Sequence, residues 1–377
     1  MSYLGDVERS VRRYDPGDRE LLREFQKVHF GELSRQRDDA FFHWLFERNP
    51  HRDPEGSALW LCKRDGRVVG QQGAIPTVLK VGEREYRASW GIDLMVDPEW
   101  RLKGVAPALS TAYQHSTDIA LGMGLSEAAH RTFLRRGWID MGKLPFFVRA
   151  LDPQACARAT RLSNGLAKRL PGFLVSGSAR VAGGVAGALT GLSLQSTPAF
   201  DDRIDHVWRT SSRDYAVLAK RDWATLRWRF DEIPCSATYE RYLLMRRSVV
   251  VGYAVLRMDE LRGERIVRLI DYLSPRRWLM PLLALVIAES NKRGAAAVFI
   301  EQLHSRSEPF LRALGCLRLA ESAQFMLQAA PSANGASDVL REGSVWFVSP
   351  ADSDFDHSAW TPSAPVTAPA SHPEMVS

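Results

Sequence analysis

The sequence predicts an α+β protein made of two tandem copies of one fold, each a mixed, mostly antiparallel sheet flanked by helices. Two observations predict this: three sequence blocks recur in the same order, and each copy shows the same succession of helical and strand periodicities. The composition agrees. The chain has 377 residues, 45% apolar and 25% charged, which is ordinary globular composition. At about 150 residues a domain, that length suits two or three domains.

The repeated blocks begin in an aromatic segment of each copy. Trp44 and Trp228 occupy matching positions there, and a proline follows each at the same spacing, Pro50 and Pro234. The matching blocks are 41–50 with 225–234, 67–70 with 249–252, and 90–98 with 267–275. Three blocks in register arise by chance far less often than one, so we interpret the repeat as a duplicated unit.

Each copy reads as a helix with an aromatic end, a hairpin of two strands, a third strand, a long helix, a short helix ending at glycine, and a final strand. In the first copy we predict strands at 59–63, 68–76 and 86–96, a helix at 107–121 and a short helix at 132–137. In the second copy we predict strands at 239–245, 249–258, 266–273 and 295–301, a helix at 279–292 and a short helix at 309–315.

The domain organisation follows from the repeat and from shifts in composition. We predict an N-terminal domain at 1–160, a Gly/Ala-rich connector at 161–200, a C-terminal domain at 201–348, and a tail at 349–377 that is disordered from about Asp352. The connector's glycines 183, 187 and 191 are four apart, which lets helices approach closely. We expect the connector to pack on the domains; contact with a membrane surface through 162–198 is the alternative.

Charge and cysteine usage restrict the class of protein. The net charge is +6 and the cations are scattered among the acids, whereas nucleic-acid binders cluster their cations. We therefore expect no nucleic-acid partner, and either a small anionic ligand or a weakly anionic surface. The four cysteines lie far apart, without the spacing of metal ligands, and the N-terminal segment lacks the apolar run of a signal peptide. Reduced thiols, no metal and a cytoplasmic location are expected.

One stretch of the first copy carries the chemistry. An apolar strand stops at 97–98, and a polar loop with the pattern Arg-x-x-Gly-x-Ala at 101–106 enters a helix. A helix N-terminus offers unpaired amides and the positive end of the helix dipole, which together suit a pyrophosphate. Gly104 allows the backbone to approach a phosphate closely, and Arg101 and Lys103 add positive charge.

This stretch resembles motif A of the Gcn5-related N-acetyltransferase superfamily, which has Arg/Gln-x-x-Gly-x-Gly/Ala after a strand ending in Val-x-Pro. The Phe-Leu-Arg-Arg-Gly-Trp sequence at 133–138 is similar to the second motif of that family. The resemblance covers about 10–150 and 201–330. It implies two tandem acyltransferase folds that bind acetyl-CoA, or another acyl-CoA, and transfer the acyl group directly to an amine.

The resemblance also implies which residues hold the donor. The loop amides would wrap the pyrophosphate and the two loop cations would face the phosphates. The backbone of the preceding strand would bind the pantetheine and stabilise the oxyanion that develops on the thioester. The implied cofactor-binding residues are Met95, Val96, Arg101, Leu102, Lys103, Gly104, Val105 and Ala106.

Two residues are candidates for proton transfer. Asp93 lies on the motif A strand among apolar neighbours, where its pKa can be raised and it can serve as a base; a structural acid paired with an arginine is the alternative, which Asp271 at the matching place in the second copy supports. The family often has a tyrosine at the position of Phe133, to protonate the leaving thiolate. His130, one turn earlier, could replace it, or could be a surface or capping histidine.

The second copy lacks the motif A glycine. It reads Arg-Arg-Trp-Leu-Met-Pro at 276–281, so we expect the first copy to be catalytic and the second to shape the acceptor site or to be structural. The predicted activity is acyl-CoA-dependent N-acyl transfer to an amine on a small molecule, a sugar or a peptide. The alternative is a non-catalytic acyl-CoA-binding or scaffolding protein of the same fold.

Overall fold

A computed structural model describes residues 3–54, 56–160, 187 and 189–356. Within these ranges the strands are β1 (Val11–Arg13), β2 (Leu59–Arg64), β3 (Arg67–Val81), β4 (Arg84–Val96), β5 (Ile119–Met123), β6 (Ile139–Ala150), β7 (Leu192–Thr197), β8 (Val217–Ala219), β9 (Tyr239–Arg246), β10 (Val249–Leu261), β11 (Glu264–Leu273), β12 (Ala297–Glu301), β13 (Leu317–Ala329) and β14 (Trp346–Phe347). The helices are α1 (Tyr3–Arg9), α2 (Arg19–Phe30), α3 (Asp39–Phe46), α4 (Val105–Gln114), α5 (Glu127–Arg135), α6 (Pro153–Thr160), α7 (Arg203–Ser211), α8 (Trp223–Leu226), α9 (Arg276–Lys292), α10 (Glu308–Ala313) and α11 (Ser337–Arg341).

All of these strands join one sheet of 14 strands, in which β1-β2-β3-β4-β5-β13-β6-β12-β11-β10-β9-β7 is the main path. β8 and β14 form a branch beside the main path: β8 pairs with β3 of the path, and β14 pairs with β8. Neighbours on the main path are antiparallel except for two matching parallel pairs, β4 with β5 and β11 with β12. The predicted fold class is confirmed: a mixed, mostly antiparallel sheet with helices packed against it.

The two copies exchange their last strands. β6 belongs to the first copy but lies between β12 and β13 of the second copy. β13 in turn pairs with β5 of the first copy, with Phe325 opposite Met123. The predicted boundaries at 160 and 201 therefore cut through one shared sheet, because each copy supplies a strand that the other needs.

The matching tryptophans meet at the junction between the copies. The rings of Trp44 and Trp228 stack 4.8 Å apart with an interplanar angle of 9°. Each indole N–H donates to the main-chain carbonyl oxygen of the other residue, at 2.7 and 2.9 Å. These reciprocal bonds satisfy two buried donors at once, and they relate the two copies by a local pseudo-twofold arrangement.

Two element predictions differ from the structure. The helix predicted at 107–121 ends at Gln114, and residues 119–123 form β5. A short, uniformly apolar run suits a buried parallel strand as well as a helix, so periodicity could not separate the two. Residues 192–197 were assigned to the connector, but they form β7 and pair with β9. Most of 162–198, with its suggested membrane contact, lies outside the described residues, and no helix among the described ones is long and apolar enough to cross a bilayer.

The tail is ordered further than predicted. Residues 349–356 cross from the second copy to the first, and three alternate carboxylates pair with largely buried arginines. The pairs are Asp352 with Arg221, Asp354 with Arg35, and Asp356 with Arg229. The prediction of disorder from Asp352 is thus wrong for 352–356. A polar composition suggested disorder, but composition does not show that arginines far away in the sequence form ion pairs with these acids. Residues 357–377 lie outside the described part of the chain.

Candidate active site

A cleft opens where two parallel strands of the first copy separate. β4 and β5 pair from Ala88 opposite Ile119 to Gly91 opposite Gly122. Beyond this last pair β4 continues alongside β3 only, so its other edge is exposed to a cavity of about 520 Å³. The free edge of a strand offers amides and carbonyls to an extended ligand, and the cleft therefore suits a chain-like molecule.

A β-bulge in β4 directs Asp93 into this cleft. Gln71 lies opposite Met95 and Gly73 opposite Ile92, so the register slips between these pairs. Asp93 there has φ of 51°, which is uncommon for a residue other than glycine. The bulge gives the carboxylate a fixed direction that a regular strand would not give it.

Two buried glutamines of β3 hold the bulge. Gln72 Nε2 donates to the carbonyl of Ile92 at 2.9 Å, and Gln71 Nε2 donates to the carbonyl of Asp93 at 3.3 Å. These bonds give the carbonyls of Ile92 and Asp93 a donor at the point where the register of the ladder slips. The sequence analysis missed both glutamines, since their only signal was two adjacent amides in an apolar strand.

The loop predicted to bind phosphate, called the phosphate loop, contains the Arg-x-x-Gly-x-Ala sequence of 101–106 and joins β4 to α4. Leu102 and Gly104 have positive φ, 61° and 83°, and Gly104 is the N-cap of α4. Within the described part of the chain, no backbone carbonyl accepts from the amides of Leu102 to Ala106. Successive amides around a left-handed residue form an anion-binding concavity, so the loop has the geometry that its sequence predicted.

The cations of the loop remain at the surface. Arg101 Nε donates to the carbonyl of Val96 at 3.4 Å, and Lys103 Nζ lies 5.0 Å from the centre of the Trp100 ring. Val105 and the helix behind it pack close to β3 because Gly70 has no side chain: a Cβ there would lie 2.9 Å from Val105 Cγ1. Gly70 thus sets the height of the loop above the sheet.

Asp93 is almost enclosed by polar partners. Arg35 Nη2 lies 3.3 Å and Gln36 Nε2 3.0 Å from its Oδ1, and its side chain is only 11% exposed. Burial raises the pKa of Asp93; Arg35 opposes this shift and the negative charge of Asp354 adds to it. A carboxylate with a raised pKa that faces a cleft can accept a proton near neutral pH.

Comparisons with known proteins bear on the fold. No protein-family model and no curated protein matches the sequence. Among solved structures, a GCN5-related N-acetyltransferase from Anabaena variabilis ATCC 29413 matches with a TM-score of 0.57 and 14% identity, over 85% of this chain and 72% of its own. The chain has the Gcn5-related N-acetyltransferase fold.

Two further structures share this N-acetyltransferase fold. A GCN5-related N-acetyltransferase from Kribbella flavida matches with a TM-score of 0.56 and 13% identity, over 85% of this chain and 71% of its own. The N-myristoyltransferase of Saccharomyces cerevisiae, solved with bound myristoyl-CoA, matches with a TM-score of 0.51 and 12% identity, over 85% and 84%. At such identities the similarity defines the fold rather than the activity.

The cleft includes residues that were not predicted from the sequence. Arg35 follows α2, and Asp354 and Phe355 belong to the ordered tail; all three line the cavity beside Asp93. Arg35 bridges Asp93 and Asp354. No local pattern could have linked the two acids, because they meet only through the path of the tail across the sheet.

Phe133 and His130 both belong to α5, but only Phe133 lies at the cleft. Phe133 lines the cavity and stacks on Trp138, with ring centres 4.6 Å apart. His130 is not among the lining residues; its Nε2 lies 2.8 Å from Asp140 Oδ2. Residues 129 and 133 share one face of the helix, and His130 lies on the neighbouring face. The structure does not bring His130 to the cleft.

Because His130 faces Asp140, we expect a His130→Ala variant to keep its rate of acyl transfer within about twofold, against the ~10²–10⁴-fold loss typical when a general acid is removed. Steady-state rates with acetyl-CoA and a competent amine check this. Asp140→Asn is the matched control, since it breaks the same ion pair from the other side. A hundredfold loss in His130→Ala alone, with folding intact, would contradict the geometry.

The corresponding places in the second copy are filled by the protein itself. Asp271, matching Asp93, is buried and accepts from Arg221 at 3.2 Å, Tyr253 at 2.6 Å and Ser349 at 2.8 Å. At the start of α9, Asp214 Oδ2 already accepts from the amide of Arg276 at 2.7 Å. The described ranges also contain no group of three His, Cys, Asp or Glu side chains that could hold a metal.

Proposed function

We propose that the protein is an acyl-CoA-dependent N-acyltransferase, with acetyl-CoA as the default donor. The observation that carries this proposal is the arrangement on β4: a bulge with a cleft-facing carboxylate at Asp93, followed a few residues later by the free amides of 102–106. The strand and the loop that follows it would thus offer a base and an anion site to one elongated ligand. The match to an N-myristoyltransferase with bound myristoyl-CoA supports an acyl-CoA donor.

The residues present fit an acyl-CoA. The amides from Leu102 to Ala106 would hold the pyrophosphate, with Arg101 and Lys103 beside it. The free edge of β4 at Met95 and Val96 would bind the pantetheine. Because the Val96 carbonyl already accepts a hydrogen bond from Arg101, we expect the backbone of Met95 to make more of the hydrogen bonds to the pantetheine. The donor supplies a thioester that an amine can attack, and backbone amides of β4 would polarise its carbonyl.

Asp93 would prepare the acceptor. An amine is protonated at neutral pH and must lose a proton before it attacks. The cleft wall presents two carboxylates, Asp93 and Asp354, and one guanidinium, Arg35, a charge balance that favours an ammonium ion. The raised pKa of Asp93 brings it closer to that of the acceptor and so aids proton transfer. We therefore propose an amine on a small molecule, a sugar or a peptide as acceptor.

The thiolate would leave without a protein acid. Phe133 replaces the tyrosine of the family motif, and His130 is turned to Asp140. A CoA thiol has a pKa near that of cysteine, about 8.5, so its thiolate is a fair leaving group at neutral pH. The first copy is proposed to be catalytic and the second to be structural. We also propose a cytoplasmic location for the reaction, in line with the expectation from the sequence.

The missing tyrosine hydroxyl favours a second candidate, a non-catalytic acyl-CoA-binding protein of the same fold. Two measurements separate the candidates: calorimetric titration with acetyl-CoA, and release of the CoA thiol in the presence of amino sugars, small polyamines and peptides with free N-termini. If the protein is an enzyme, we expect it to bind acetyl-CoA and to release the CoA thiol only when an amine is present. Binding without release from any of these amines would support the second candidate, and the absence of binding would contradict both.

A further inference from the structure

We infer that the donor carries a short acyl group and that Tyr113 is the residue that limits its length. The inference rests on the proposed function, because it concerns the inner end of the same cleft. The free amides of the phosphate loop follow the C-terminal end of β4, and the cleft narrows in the opposite direction, toward the last strand pair, Gly91 with Gly122. A donor with its phosphates on the loop therefore has its acyl group toward this glycine pair.

Aromatic rings close the inner end of the cleft. Tyr113 of α4 lines the cavity and packs on Gly91 so closely that a Cβ there would lie 3.0 Å from its Cε1. On the other strand, a Cβ on Gly122 would lie 3.5 Å from Cζ3 of Trp138. The rings of Tyr113 and Trp138 thus lie directly behind the glycine pair, at the inner end of the cleft.

Hydrogen bonds fix the ring of Tyr113 in place. Its hydroxyl oxygen lies 2.6 Å from the carbonyl oxygen of Ser89 and 2.9 Å from that of Leu121, which share its single proton, and it accepts from the amide of Leu121 at 3.1 Å. Tyr113 is 2% exposed, so swinging the ring aside would leave these buried groups unpaired, which is unfavourable. The same bonds link Ser89 of β4 to Leu121 of β5, beside the inner end of the cleft.

The fold alone does not set this limit. An N-myristoyltransferase with the same fold was solved with bound myristoyl-CoA, so a long chain can be accommodated on this sheet. The difference must come from side chains, and of the two rings behind the glycine pair Tyr113 lies nearer: a Cβ on Gly91 would lie 3.0 Å from it, against 3.5 Å from Gly122 to Trp138. Pockets discriminate between homologous chains by the fit of single methylene groups, which one ring can decide.

The test compares acetyl-, butyryl-, hexanoyl- and octanoyl-CoA with one amine in the wild type, Tyr113→Phe and Tyr113→Val. We expect kcat/KM of the wild type to fall at least about a hundredfold from acetyl to octanoyl, since single methylenes in a pocket change it ~10–200-fold. Tyr113→Phe keeps the ring and is expected to keep that ratio. Tyr113→Val shortens the side chain and is expected to reduce the ratio by about tenfold or more.

The wild-type profile tests the inference even if Tyr113→Val does not fold, which circular dichroism will reveal; Tyr113→Leu is then the substitute. Octanoyl-CoA used as well as acetyl-CoA by the wild type would overturn the inference and leave the proposed function intact. An unchanged ratio in folded Tyr113→Val or Tyr113→Leu would overturn the role of Tyr113. No thiol release with any donor and amine would instead contradict the proposed function.

Discussion

A Gly104→Glu variant is expected to bind acetyl-CoA at least about a hundredfold more weakly than the wild type, because two or more charge-assisted hydrogen bonds to phosphate are lost. The new carboxylate would lie where the free amides of 102–106 converge and would repel the pyrophosphate. Gly104 also has φ of 83°, a conformation that costs a residue with a side chain about 1–2 kcal/mol. Calorimetric titration measures the affinity, and thermal unfolding measures the strain.

The control for this variant is Gly263→Glu. Gly263 has a similar φ, 77°, and nothing within 4 Å of its Cβ position, and it lies in the turn between β10 and β11. It therefore carries the same backbone strain and the same added charge far from the phosphate loop. Equal loss of acetyl-CoA affinity in both variants, or no loss in Gly104→Glu, would refute the placement of the pyrophosphate.

An Asp93→Asn variant is expected to lose about 10²–10⁴-fold in kcat, the range for removal of a general base, with little change in acetyl-CoA affinity. Asparagine keeps the size of the side chain and can still accept from Gln36, so the bulge should persist. Asp271→Asn is the matched change in the second copy. There we expect lower stability, about 3–5 kcal/mol for breaking a buried ion pair, rather than a defect confined to kcat.

The pH profile separates the role of Asp93 from a structural one. The base must be ionised, so activity falls as the pH decreases through its pKa, and because that pKa is raised the fall begins at a higher pH than for an ordinary aspartate. Asp354→Asn removes a negative charge near Asp93. It also leaves Asp93 as the carboxylate that pairs with Arg35. Both changes favour the ionised form, so the acid limb should move to lower pH. A shift to higher pH, or none, would contradict this assignment.

Features that depend on residues close together in the chain could be predicted from the sequence. The motif A loop, the hairpins and Asp93 are features of this kind. The hairpins are present and Asp93 lines the cleft, whereas the roles of Asp93 and of the loop stay predictions. The other parts of the cleft wall depend on contacts between residues that are far apart in the sequence. Nothing near Asp354 indicates that its partner is Arg35, and the bulge that turns Asp93 outward is visible only once β3 and β4 are aligned.

The exchange of final strands was equally hidden from the sequence. Alternation of apolar and polar residues shows that β6 and β13 are strands, but either could pair within its own copy or with the other. In a duplicated protein both choices satisfy the same pattern, since the two copies present equivalent edges. Only the packing of the whole sheet, in which β13 lies against β5, separates them.

That exchange also determines when the cleft can form during synthesis. Chains emerge from the ribosome N-terminal end first and generally fold by domains, yet β5, one wall of the cleft, is paired on its outer edge by residues 325–329. Until those residues have been made, β5 and β6 present open edges of the kind that promote aggregation. Pairings between segments so far apart in sequence also slow folding. We therefore expect the cleft of the first copy to assemble late, because it depends on a strand that the second copy contributes.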